Sequence, residues 1–128
     1  MGNKRQHPED NLHKQIAKYL ADCEMAKVFG RSGFWTYMPF GEKRTALTGA
    51  LLKSKGTKRG VPDFMILVRL DNSTEIIWIE AKSEKGKQEL EQIEFETKTK
   101  NQINEYYYIV KSTNDIFEIF KKLELIKE

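Results

Sequence analysis

One cysteine, Cys23, stands in the whole chain, so no internal disulfide and no cysteine-based zinc site can form. No apolar run nears the ~18 residues that span a bilayer, and no apolar secretory segment follows the opening MGNKRQHPEDN. Both absences predict an intracellular, cytoplasmic protein with no membrane attachment. Only three prolines occur, and no repeat, low-complexity tract or Pro/Ser-rich linker marks a boundary. One domain over 1–128 is predicted, with 1–8 as a flexible tail. Histidine is as scarce: His7 and His13 have no partner at metal-ligand spacing, so tail and helix surface are their expected places.

At 39% hydrophobic and 32% charged, 128 residues are enough to bury one core. The net charge of +3 is too small to name a partner; its distribution says more. From Lys43 to Pro62 there is no acid, while Lys43, Arg44, Lys53, Lys55, Lys58 and Arg59 are basic. With Gly49, Gly56 and Gly60 among them, the segment 41–60 reads as a mobile cationic loop able to neutralise phosphates.

From Glu9 to Val28, Leu12, Ile16, Tyr19, Leu20 and Cys23 recur at three- and four-residue steps, the spacing of a helix with one buried face. There Cys23 is a buried, reduced thiol. The run 34–38 (FWTYM) has strand composition, and Trp35, Tyr37 and Trp78, at strand spacing, belong to the core more readily than to a base-stacking surface. Residues 61–70 and 75–82 read as two apolar strands joined through the turn Asp71-Asn72-Ser73-Thr74, hence an antiparallel hairpin. A polar helix over 87–101, with Leu90, Ile93 and Thr97 inward, a strand over 106–110 and a last helix capped by Ser112 or Asn114 complete the order α-β-β-β-α-β-α.

The hairpin carries the chemistry. Asp63 begins its first strand; Glu80 and Lys82 end its second and, two apart, share one face. A Glu-Ala-Lys at a strand end is ordinarily a solvated terminus. Here Glu80 follows Ile76-Ile77-Trp78-Ile79 and Asp63 precedes Phe64-Met65-Ile66-Leu67, so both acids are pressed against apolar strands where an unpaired charge is costly. Two carboxylates beside an ammonium suit phosphodiester hydrolysis, in which acids hold Mg²⁺ and the metal activates water.

Gly60-Val61-Pro62-Asp63, then Glu80-Ala81-Lys82, Gly86 and Gln92, with Glu9 three residues before Leu12, resembles the VRR-NUC branch of the PD-(D/E)xK nucleases over nearly the whole chain. The resemblance implies an α/β, restriction-endonuclease-like core (α-β-β-β-α-β) with a mixed central sheet flanked by helices. It implies Mg²⁺, or Mn²⁺ in its place, held by Asp63, Glu80 and the backbone carbonyl of Ala81 with help from Glu9. Lys82 would serve the attacking water, and Gln92 would steady the site or touch phosphate. The implied partner is DNA, cut by a homodimer as in Holliday-junction resolvases. The alternative is a non-catalytic DNA-binding or assembly module on the same fold.

Overall fold

The computed structural model describes residues 8–39 and 46–127; His7, Lys43 and Arg44 lie outside them. Helix α1, Pro8–Met25, opens on a proline, tolerated because the first helical N–H has no intrahelical partner. It ends sooner than its apolar spacing suggests: Lys27 adopts a left-handed backbone (φ 63°) and the Val28 N–H returns to the Cys23 carbonyl at 3.0 Å. Strand β1 (Phe34–Tyr37), helix α2 (Ala46–Ser54), strands β2 (Phe64–Arg69) and β3 (Thr74–Ala81), helix α3 (Leu90–Thr99), strand β4 (Glu105–Val110) and helix α4 (Thr113–Lys122) follow.

The four strands form one mixed sheet in the order β1-β2-β3-β4. β1, β2 and β3 are antiparallel neighbours, and β4 runs parallel to β3. Phe64, Ile66 and Val68 of β2, with Ile77, Ile79 and Ala81 of β3, are buried on one face beneath Leu12, Ile16, Leu20 and Cys23 of α1 and Ile116 and Phe120 of α4. This face is the main core, and truncating a fully buried ring such as Phe64 or Phe120 there would cost about 3–5 kcal/mol. Cys23 is indeed a buried free thiol, and Ser112 caps α4, its hydroxyl accepting from the Asp115 N–H at 3.2 Å.

Two expectations are corrected. The segment 41–60 is not simply a mobile loop: within it α2 forms, because Ala46-Leu47 and Ala50-Leu51-Leu52-Lys53 are strong helix formers that outweigh Gly49. The inward face of α3 is also different. Leu90 and Ile93 are exposed (68% and 45%), as is Thr97, whereas Gln92, Phe95 and Thr99 turn inward. Phe95 lies edge-on to Trp78 at 5.0 Å between ring centroids, so ring packing and a polar contact, not the aliphatic stripe, orient this helix. Among the described residues no helix is long and apolar enough to cross a membrane.

Candidate active site

Register places the acids. Phe64 lies opposite Ile79 in the β2–β3 ladder, so one step further Asp63 faces Glu80, and residues opposite each other in antiparallel strands project from the same face. The Ala81 N–H donates to Asp63 Oδ2 at 2.8 Å, holding that carboxylate against the end of β3. Lys82 Nζ lies 3.7 Å from Glu80 Oε2, and both side chains are buried. Gln92 Nε2, from the first turn of α3, donates to the same Glu80 oxygen at 2.9 Å.

These side chains line one cavity of about 840 Å³ at the strand ends, which Glu9, Arg59 and Lys87 also reach. Glu9 is half-buried where its neighbour Asp10 is exposed. Gly60 adopts φ 84°, and a Cβ there would run into the Glu91 carbonyl. The backbone leading to Asp63 therefore abuts the start of α3, and Arg59 reaches Glu91 at 3.7 Å. Lys53, Lys55 and Lys58 are exposed on α2 and the turn after it.

Burial and the adjacent Asp63 charge push the Glu80 carboxyl up to about 9, and Lys82 offsets only part of this. Glu80 Oε1 is buried without a hydrogen-bond partner among the described residues. An orphaned carboxylate oxygen beside a second carboxylate is what a hard divalent cation would satisfy. No cluster of three or more His, Cys, Asp or Glu side chains able to hold a metal occurs among the described residues. Two carboxylates still fit Mg²⁺, which binds through one or two of them and keeps several waters.

No family model, curated protein or solved structure matches the chain. The chemistry therefore rests on the site itself.

His13, expected on the helix surface, belongs to this site. Its Nε2 lies 3.3 Å from Asp63 Oδ2, without the alignment of a hydrogen bond, and its ring packs against Tyr37 and Phe64. Burial disfavours the imidazolium, but Asp63, with Glu9 and Asp10 behind it, outweighs that and raises the His13 pKa. The sequence held one overlooked signal: His13 follows Leu12 and lies four residues after Glu9, the same end of the same helix. Trp35 and Tyr37 pack against the core, and Trp78, under Phe95, donates from Nε1 to Glu105 at 2.7 Å.

Proposed function

We propose that this chain is a metal-dependent endonuclease that hydrolyses DNA phosphodiester bonds at Asp63, Glu80 and Lys82. The observation that carries the reading is the carboxylate pair of buried Glu80 and half-buried Asp63, with an unsatisfied Glu80 oxygen and an ammonium 3.7 Å from Glu80. The succession α1, β1, β2, β3, α3 and β4 around a mixed sheet, with α2 inserted between β1 and β2, supports a VRR-NUC-type, restriction-endonuclease-like core.

Asp63 and Glu80 would hold Mg²⁺ or Mn²⁺ with the Ala81 carbonyl, and Glu9 would assist. When bound, the ion polarises the phosphoryl group and eases deprotonation of the hydrolytic water. Lys82 orients that water or offsets charge in the transition state. Gln92 holds Glu80 in place from α3. Arg59 at the cavity rim, with Lys53, Lys55 and Lys58 before it, would neutralise phosphates flanking the cut. Two copies in a two-fold dimer would cut opposite strands of branched DNA such as a Holliday junction, in a bacterial or phage-infected cell. That substrate and that assembly rest on the family resemblance.

The test is cleavage of labelled linear duplex, single-stranded, flap and four-way-junction DNA in Mg²⁺, Mn²⁺ or EDTA. Metal-dependent cutting, lost in Asp63→Ala and Lys82→Ala, is expected. Tight DNA binding without cutting in either metal would replace this reading with the non-catalytic binding module.

A further inference from the structure

Beside the carboxylates lies a second hollow, of about 420 Å³, walled by His13, Trp35, Tyr37 and Phe64 with Asp10 and Lys14 at its polar edge. Its size falls within the roughly 300–1,000 Å³ of small-molecule sites. It shares Asp10, His13 and Tyr37 with the larger cavity, so the two adjoin across these side chains. Phe64 is fully buried and forms the floor, while Trp35, Tyr37 and His13 are half-buried and keep part of their rings toward the space. The His13 and Tyr37 rings are in tilted contact, 5.3 Å apart at 54°, and together form one wall of the hollow.

We infer that this hollow is a nucleobase pocket, which takes the base of a nucleotide next to the scissile phosphate. The inference rests on the nuclease reading and deepens it. Aromatic faces stack on any base, and at the polar edge exposed Lys14 offers a cation for the flanking phosphate while the exposed Asp10 carboxylate offers an acceptor for a base edge. A base can enter only after leaving its own stack and pair, which is cheapest where the strand is already unpaired. The pocket thus selects substrates whose nucleotide at the cut is frayed, flapped or at a branch.

Trp35 reports the event. The chain has two tryptophans, and Trp78 sits away from the hollow against Phe95, so Trp78→Phe leaves Trp35 as the only indole. The experiment follows Trp35 emission and fluorescence anisotropy of a labelled single-stranded oligonucleotide in Ca²⁺, against an abasic strand of equal length and charge. The base-bearing strand should quench Trp35 and bind about tenfold tighter than the abasic strand, as expected for one stacked base. Tyr37→Leu should erase that difference. Lys14→Ala, at an exposed position that leaves the core untouched, should weaken binding of both strands.

Equal binding of the two strands with Trp35 emission unchanged, in protein that still cuts DNA in Mg²⁺, overturns the pocket alone. Absence of both binding and cutting overturns the nuclease reading and the pocket with it.

Discussion

Gln92 clamps Glu80 from across the site: its Nε2 donates to Glu80 Oε2 at 2.9 Å while its Oε1 accepts from the Glu89 N–H at 2.8 Å. One amide thus caps α3 and holds an acid of β3, coupling helix docking to the geometry of the carboxylate pair.

Gln92→Ala removes both bonds. Each net hydrogen bond contributes about 0.5–1.5 kcal/mol, so urea denaturation should show a loss of about 1–2 kcal/mol. Under the proposed function, cleavage should fall about tenfold through weaker Mg²⁺ binding, which metal titration would detect. Unchanged metal affinity in this variant would mean that Gln92 serves only the helix.

The metal-free protein should lose stability as pH rises. A carboxyl whose pKa climbs on folding, here from an ordinary 4.5 to about 9, favours the fold fully below its unfolded pKa. That contribution is lost as pH rises toward the folded value. Melting in EDTA should therefore occur at lower temperature near pH ~8.5 than near pH ~5.5, with a flatter slope in Glu80→Gln. Under the proposed function, Mg²⁺ binding at neutral pH should release about one proton, read as buffer-dependent heat in calorimetry. A Glu80→Gln variant with the wild-type slope would show that another group governs the titration.

Gly60→Ala tests the turn before Asp63. The φ of 84° disfavours any side chain, and the new Cβ would collide with the Glu91 carbonyl, so a cost of roughly 1–3 kcal/mol is expected. Thermal denaturation measures it. Because the collision would push Asp63 away from Glu80, activity should fall even at temperatures where the variant is fully folded.

Neutralising Lys53, Lys55, Lys58 and Arg59 together should leave stability within about 1 kcal/mol, since all four are exposed. If they face DNA, binding weakens and the slope of log K against log salt drops by about one for each phosphate that is no longer neutralised. An unchanged salt slope would remove these side chains from the nucleic-acid surface.

Much of the fold was legible because local spacing reports burial. Leu12, Ile16, Leu20 and Cys23 mark the buried face of α1 by their three- and four-residue steps, and the apolar β2 and β3 runs read as paired strands. The acid pair was legible for the same reason, because Asp63 and Glu80 interrupt apolar strands at positions that an antiparallel hairpin must bring together. Leu90 and Ile93 misled because an aliphatic stripe signals burial only when another surface is there to receive it. In α3 the Phe95 ring over Trp78 and the Gln92 amide on Glu80 set the helix rotation instead.

Sequence alone determined the order of every element but α2, the main core and the meeting of two acids with a lysine, since each depends on periodicity or on register within a hairpin. Tertiary structure alone decided that His13 stands against Asp63, that Gln92 bonds Glu80, that one Glu80 oxygen is orphaned and that an aromatic hollow opens beside them. Those contacts join α1, β1, β2, β3 and α3, elements distant in the chain. They arise from how the helices dock on the sheet, which no local pattern of residues encodes.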